Sequence, residues 1–189
     1  MIRKQHSKSS GQEAPVVDQA LVEQWIQEYG HDLKWLAFSY VKDYSTAEDI
    51  VQETMIKAYQ KYPTFKQEST TKTWLYKIAI NLCKDYLKSS YVKRVIKRGT
   101  EMFRHLPSGR HTPEETLLKR SEEEALLEEV LKLDDKYREM IVLYYFEEFD
   151  VHEVAQVLRI SPNTVKTRLR RARQILQDRL TEKGSLRHE

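Results

Sequence analysis

The sequence predicts an all-α protein with two small helical domains joined by a flexible linker. Apolar residues recur at the spacing of a helix in almost every segment, and no run alternates at period two over the length of a strand. Gly99, Pro107, Gly109 and Pro113 break this periodicity between 89 and 120, which predicts the linker. A chain of 189 residues with 40% hydrophobic residues is long enough to bury two small cores.

The breaks in periodicity divide the chain into five segments. The polar, aperiodic start predicts a disordered tail. The predicted segments are a tail over 1–18, a first domain over 19–90, the linker over 91–120, a second domain over 121–183 and a tail over 184–189.

The first domain begins with two predicted helices. An apolar stripe over 21–41 predicts a long helix, in which Gly30 is a candidate bend. Ser45 and Glu48 have the spacing of a capping box, which predicts that a second helix starts at Thr46. That helix should run to about residue 62, because Pro63 cannot continue it.

A third predicted helix, over 71–88, has two stripes instead of one. The first stripe is apolar and predicts a buried face; it comprises Leu75, Ile78, Ala79, Leu82 and Tyr86. The second combines an aromatic ring, an amide and three cations, namely Trp74, Lys77, Asn81, Lys84 and Lys88. An aromatic ring can stack on an unpaired base, an amide can bond to its edge, and lysines can follow the phosphates. Alternatively, Trp74 packs under the loop before this helix and the lysines are only solvated.

The second predicted helix offers a different surface. Asp49, Gln52, Glu53 and Ile56 should point outward from it, while Ile50, Val51, Thr54 and Ala58 should point inward. Acidic groups beside an apolar side chain are typical of a docking site for a basic partner helix. A solvated helix face is the alternative.

The second domain is predicted to have four helices and to end in a helix-turn-helix. A short helix with small Ala155 on its inner face precedes Ser161, a good N-cap, and Pro162, which suits the first helical position. Val165, Leu169, Ala172 and Leu176 of the last helix should face the core. Arg159 lies in the turn, where a positive φ would cost about 1 kcal/mol.

The outward face of the last helix is strongly basic. It presents Asn163, Thr167, Arg170, Arg171 and Gln174, flanked by Lys166, Arg168 and Arg173. Arginine and asparagine can pair with base edges in a major groove, and flanking cations suit the phosphates beside it. A basic surface helix without a ligand is the alternative.

Composition argues against catalysis and against a cofactor or metal. The six histidines show no ligand spacing, and the five glycines form no phosphate-binding loop. The net charge of +3 says little about partners. The lone cysteine, Cys83, suits a reducing compartment. No apolar run approaches the roughly 20 residues of a membrane helix, and no signal sequence is evident, so neither membrane insertion nor export is expected.

The order of these features resembles the extracytoplasmic-function sigma factors, the smallest members of the sigma-70 class. The resemblance rests on AEDIVQETMIKAYQKY, then TWLYKIAINLCKDYLK, then the helix-turn-helix ending VLRISPNTVKTRLRRAR, and it covers 21–88 and 122–180. It implies a non-enzymatic alternative sigma factor, without a small-molecule substrate, that binds core RNA polymerase, directs it to promoters and helps to open the DNA. It also implies a cytoplasmic, nucleoid-associated protein with an anti-sigma factor as a further partner.

The resemblance also implies a role for each surface. The first domain would dock on the beta-prime clamp helices, and the beta flap is a further implied contact; the polymerase-binding residues would be Asp49, Gln52, Glu53 and Ile56. Unpaired bases of the minus-10 element would meet Phe65, Lys66, Thr73, Trp74, Lys77, Asn81, Lys84 and Lys88. The minus-35 element would meet Asn163, Thr164, Lys166, Thr167, Arg168, Arg170, Arg171 and Arg173.

Two other classes of protein are alternatives to a sigma factor. A two-domain repressor or response regulator would bind duplex DNA as a homodimer and would carry a sensory first domain, for which the sequence offers neither a phosphoacceptor pattern nor an evident ligand pocket. A sigma-sequestering interaction protein would not need so strongly specified a DNA helix. The linker is basic over 93–110, where a more neutral or acidic segment is expected from members of the family. The arginines at 159, 170 and 171 prevent the promoter sequence from being inferred from other members.

Overall fold

The computed structural model describes residues 19–89 and 116–186, with side chains for 19–89 and 123–182. The described residues form helices and no strand, which confirms the all-α prediction. The predicted tail over 1–18 and most of the predicted linker lie outside them. The helices are α1 (Gln19–Val41), α2 (Tyr44–Lys61), α3 (Thr71–Lys88), α4 (Thr116–Leu131), α5 (Asp135–Ile141), α6 (Val151–Leu158) and α7 (Pro162–Leu186).

The first domain is a bundle of α1, α2 and α3. Leu33 and Leu36 of α1, Ala47 of α2 and Leu75 of α3 are fully buried in its core. Gly30 does not interrupt α1, which runs as one helix. A short 3₁₀ turn, Tyr62–Thr64, follows α2 where Pro63 prevents its continuation.

The predicted capping box at the start of α2 is wrong. Asp43 is the N-cap, and its carboxylate accepts hydrogen bonds from the backbone N–H (2.8 Å) and the hydroxyl (2.6 Å) of Thr46, so the helix begins at Tyr44. These bonds stabilise the ionised form and lower the pKa of Asp43. Glu48 instead pairs with Lys34 of α1, with 2.6 Å between Nζ and Oε1.

The second domain contains α4 to α7, as the predicted four-helix arrangement requires. A single π turn, Val142–Phe146, follows α5 and leaves three aromatic side chains substantially exposed. Helix α4 begins at Thr116, inside the segment assigned to the linker. Val154 of α6 and Val165 of α7 are fully buried where the two helices of the helix-turn-helix cross.

The helix-turn-helix has the caps and the strained turn that its sequence predicts. The backbone N–H of Thr164 donates to the hydroxyl of Ser161 at 3.1 Å, and Pro162 occupies the first position of α7. Asp150 and Glu153 form a capping box at the start of α6, which the sequence analysis missed. Arg159 ends α6 in the left-handed conformation, with φ 55° and ψ 47°.

The two domains are in contact, chiefly through α3. The ammonium of Lys72 donates to the backbone carbonyl of Glu147 at 2.6 Å, and the hydroxyl of Tyr76 donates to the Glu147 carboxylate. The ring of Tyr76 meets the ring of Phe149 edge-on at 4.9 Å. A salt bridge of 2.9 Å joins Lys84 to Glu139.

Burial of this interface changes the proton affinity of two charged groups. Burial raises the pKa of the Glu147 carboxyl to about 7; the Tyr76 hydroxyl bond and the Lys72 charge oppose the shift, while the Asp32 charge adds to it. Burial, together with the nearby Arg138, lowers the pKa of Lys42 to about 6, and the Lys42 ammonium nitrogen has no hydrogen-bond partner. Burial therefore favours the protonated form of Glu147 and the neutral form of Lys42.

We expect Glu147→Gln to change how stability depends on pH. Because the pKa of Glu147 is raised from 4.5 to about 7, its contribution is fully present below about pH 4.5 and is lost as the pH rises through about 7. The glutamine variant cannot ionise, so its free energy of unfolding relative to wild type should rise by up to about 3 kcal/mol between pH 5 and pH 8. Urea denaturation at the two pH values measures this difference.

Lys42 titrates both in the wild type and in Glu147→Gln, so its effect on the free energy of unfolding cancels when the two proteins are compared. The exposed neighbour Glu148 supplies the control, since Glu148→Gln should differ from wild type by the same amount at both pH values. A pH-independent difference for Glu147→Gln would mean that this carboxyl is not buried in solution.

Candidate nucleic-acid and polymerase surfaces

Helix α7 presents the basic face that its sequence predicts. Val165 and Ala172 are fully buried, and Leu169 and Leu176 nearly so, which leaves the opposite side of the helix to solvent. Thr164 and Arg168 are half-buried, and the hydroxyl of Thr167 donates to the carbonyl of Asn163 at 2.9 Å. The exposed members of the predicted set are Asn163, Lys166, Thr167, Arg170, Arg171 and Arg173.

The second stripe of α3 is only partly open to solvent. Asn81 and Lys88 are exposed, Lys77 and Lys84 are half-buried, and Thr73 is 2% exposed. The hydroxyls of Thr70 and Thr73 are 2.8 Å apart, and Thr70 caps the helix. On the apolar stripe, Tyr86 is 37% exposed, so its predicted burial is wrong.

Trp74 lies in an aromatic cluster that joins α3 to the rest of the first domain. Its ring stacks on Phe65 at 4.6 Å between centroids and lies 6.0 Å from Trp25 and 6.2 Å from Tyr62. Trp25 is buried, whereas Phe65 and Trp74 are half-buried. Trp74 therefore packs beside the loop that precedes α3, and the cluster fixes the start of that loop.

A basic cavity of about 340 Å³ lies beside the exposed end of α3. Asn81, Lys84 and Lys88 line it together with Lys57 and Lys61 of α2. Arg159, from the turn of the helix-turn-helix, lines it as well. Lys57 and Lys61 were not among the predicted residues, although their spacing of four places them on one helix face.

The predicted docking surface on α2 is exposed. Asp49, Gln52 and Glu53 are open to solvent, Glu53 pairs with Lys57 at 3.4 Å, and Ile56 is 51% exposed. A groove of about 390 Å³ runs beside them, and its lining residues are Gln19, Val22, Met55, Ile56 and Tyr59. Tyr59, which is half-exposed and lines the groove beside Ile56, was not among the predicted residues.

The described residues form neither a metal centre nor a membrane span. Within 19–89 and 116–186, no three histidine, cysteine or acidic side chains are grouped to hold a metal ion. In the same part of the chain, no helix combines the length and the apolar character needed to cross a bilayer.

Two family models match the chain, one in each domain. The model described as Sigma-70 region 2 matches residues 25–97, and the model described as Sigma-70, region 4 matches residues 123–176. The first match includes the whole of α3, and the second includes both helices of the helix-turn-helix up to Leu176.

Curated relatives match over most of their length. The ECF RNA polymerase sigma factor SigW of Bacillus subtilis is 33% identical over 160 residues, which cover 82% of this chain and 86% of the relative. The RNA polymerase sigma factor SigV of the same organism is 35% identical over 163 residues, covering 86% and 93%.

Solved structures with the same fold include two protein complexes. CnrH in complex with the cytosolic domain of CnrY is 23% identical, with a TM-score of 0.62 over 87% of this chain and 90% of that one. RpoE of Bartonella quintana, in complex with the anti-sigma factor NepR, is 26% identical, with a TM-score of 0.59 over 84% and 98%. The chain belongs to the extracytoplasmic-function sigma factors of the sigma-70 class, which bind core RNA polymerase and direct it to promoter DNA.

Proposed function

We propose that this sigma factor divides promoter recognition between its two domains, so that one binds paired DNA and the other binds nucleotides that have left the duplex. The observation that carries this proposal is the contrast between two exposed surfaces. Helix α7 presents exposed arginines along one side. Helix α3 instead presents Asn81 and lysines beside an aromatic cluster.

The second domain reads the minus-35 element through α7. Its first turns carry Lys166, Thr167, Arg170 and Arg171, the residues nearest the bases in this proposal. Asn163, Thr164, Arg168 and Arg173 flank them. Arginine pairs with base edges in the major groove, and the flanking cations fix the register by contacting phosphates.

The first domain holds the unpaired non-template strand of the minus-10 element. Asn81 can donate to and accept from a base edge, and Lys77, Lys84 and Lys88 follow the phosphates. The half-buried pair of Phe65 and Trp74 supplies an aromatic surface next to the loop that contains Lys66. Thr73, which is buried, acts by positioning the start of α3, because its backbone N–H and its hydroxyl bond to the hydroxyl of the N-cap residue Thr70.

The acidic face of α2 docks on the beta-prime clamp helices of the polymerase. Asp49, Gln52 and Glu53 provide charge and hydrogen-bonding groups, and Ile56 continues into the apolar groove beside them. An apolar anchor inside a charged rim is the usual composition of a stable interface. The second domain supplies the contact with the beta flap.

The remaining parts of the proposal concern partners and location. The protein is not itself an enzyme, and it acts in the cytoplasm, associated with the nucleoid, where core polymerase and promoters are found. An anti-sigma factor holds it inactive in the absence of its signal. RpoE, one of its structural relatives, is bound to such a factor.

Charge reversal on α2 tests polymerase docking. We expect Asp49→Lys combined with Glu53→Lys to weaken binding to core polymerase at least tenfold, because the cationic face would repel a basic partner helix. The equilibrium titration of labelled core polymerase measures this loss. The same charge change at the exposed residues Glu123 and Asp134 is the control. Equal affinities for the two double variants would place polymerase docking elsewhere on the molecule.

Substitution of Asn81 tests the capture of unpaired bases, and with it the proposed function as a whole. We expect Asn81→Ala in the holoenzyme to reduce promoter opening roughly fivefold, because about 1 kcal/mol of hydrogen bonding to an extruded base is lost. Permanganate reactivity of unpaired thymines measures opening, and footprinting of the minus-35 region measures duplex binding, which should not change.

Gln60→Ala removes an exposed amide from α2 and serves as the control, with no effect expected in either assay. Asn81 is preferred to Trp74 for this test because truncation of Trp74 would also disrupt the aromatic cluster. A wild-type holoenzyme that opens no promoter would refute the function outright.

Two arginines of α7 should respond differently to truncation. Arg170→Ala should weaken binding to a duplex that carries the preferred base pair by about 1 to 3 kcal/mol, because the base contact is lost. Specificity at that position should be relaxed. Arg173→Ala should weaken binding to all sequences alike and lower the slope of log affinity against log salt by about 1, as expected for one lost phosphate contact. Holoenzyme binding to single-substituted minus-35 duplexes over a salt series separates the two. Identical changes in sequence preference and in salt dependence for the two variants would contradict the assignment of Arg170 to a base contact and Arg173 to a phosphate contact.

A further inference from the structure

We propose that the basic cavity beside α3 is a binding site for a free small ligand, a short polyphosphate chain. This goes beyond the function proposed above, in which every anionic partner is DNA. The cavity has a volume of about 340 Å³, which is within the range of sites that take small ligands. Five cationic side chains and one carboxylate, that of Asp85, are among the residues that line it.

Three separate segments bring these cations together. Lys57 and Lys61 lie one turn apart on α2, and Lys84 and Lys88 lie one turn apart on α3. Arg159 joins them from the turn of the helix-turn-helix. A concave surface lined by charges of one sign focuses the electric field, so the cavity attracts anions more strongly than the same cations would on a convex face.

Most of the cations are available to a bound anion. Within the described part of the chain, Lys61 and Arg159 make no ion pair. Lys57 and Lys88 each pair with a carboxylate of their own helix at 3.4 Å, between side chains that are more than a third exposed. Exposed ion pairs contribute little stability, so a phosphate group can displace these carboxylates. The fifth cation, Lys84, is held at 2.9 Å by a nearly buried carboxylate and is less available.

Arg159 occupies a position that the fold alone would give to glycine. Its backbone has φ 55° and ψ 47°, the left-handed conformation that glycine adopts without strain. The arginine adds a guanidinium to the cavity, and a guanidinium binds phosphate oxygens through two parallel N–H donors. A side chain that strains its own turn and lines a basic cavity is typical of a binding site.

The lining suits linked phosphates better than a single phosphate or a nucleotide base. Several separated cations match a chain of phosphates, each of which carries its own negative charge. None of the described residues that line the cavity is aromatic, so a base would find no ring to stack on. Asn81 adds an amide that can donate to a phosphate oxygen.

Calorimetric titration of the full chain with inorganic tripolyphosphate tests the site. The salt concentration is kept low, at about 50 mM, because the contacts are screened by ions. We expect saturable binding of one tripolyphosphate per chain, with orthophosphate at least tenfold weaker and ATP no tighter. Orthophosphate of equal affinity, or ATP that binds tenfold more tightly, would overturn the assignment to a polyphosphate chain.

Arg159→Gly separates loss of the ligand contact from loss of the fold. The substitution removes a cation and also relieves the strained turn. The affinity for tripolyphosphate should therefore fall at least fivefold, while the midpoint of thermal unfolding should not fall. An unchanged affinity would overturn the proposed site.

A matched pair of lysine substitutions separates a site from general attraction to a basic protein. Lys61→Gln removes an exposed cation of the cavity, and Lys136→Gln removes an equally exposed cation of α5 outside it. The affinity for tripolyphosphate should fall at least threefold for Lys61→Gln and should stay at the wild-type value for Lys136→Gln. Equal losses in the two variants would overturn the proposal.

A bound polyphosphate would occupy Asn81, Lys84 and Lys88 and so compete with the unpaired strand, a consequence that rests on the function proposed above. Tripolyphosphate should inhibit promoter opening by the holoenzyme, and half-inhibition should need at least threefold more of it with Lys61→Gln than with Lys136→Gln. Equal inhibition of the two would overturn the competition. A wild-type holoenzyme that opens no promoter without tripolyphosphate would refute the proposed function instead, and the binding measured by calorimetry would stand.

Discussion

Helix α3 is packed on two sides, and most of the structure depends on this constraint. Its apolar side completes the core of the first domain, where Leu75 and Ala79 are fully buried. Its other side carries Tyr76, whose ring and hydroxyl are covered by the second domain. A helix with two covered sides leaves only a narrow strip to solvent, and that strip carries Asn81 and Lys88.

Because the second domain covers Tyr76 of α3, Glu147 has two opposed effects on the stability of the contact between the domains. Its carboxylate satisfies the Tyr76 hydroxyl, which would otherwise be buried without a partner, yet burial of the carboxyl favours its protonated form. A carboxyl whose pKa lies near 7 is balanced between the two forms at neutral pH. Ionisation of Glu147 therefore weakens the contact as the pH rises through about 7.

Sequence reasoning succeeded where short-range rules decide and failed where distant residues meet. Helical periodicity predicted the helices, and the Ser161–Pro162 pair predicted the start of α7 because a cap depends only on its neighbours. Asp43 was overlooked as a cap because Ser45 and Glu48 offered a competing pattern of equal quality. The bond from Tyr76 to Glu147 spans 71 positions, and no local pattern in either segment predicts it. For the same reason, Trp74 could be placed on a helix face but not in its cluster with Trp25.

Ionic strength should act differently on the contact between the domains and on DNA binding. Several exposed cations of α7 and α3 would displace counterions from DNA, so their affinity falls steeply as salt rises. The contact between the domains relies on the buried group around Glu147, with one ion pair, Lys84 to Glu139, in which Glu139 is nearly buried. Buried pairs are screened far less than exposed ones. Rising salt should therefore weaken the proposed DNA contacts more than it weakens the contact between the domains.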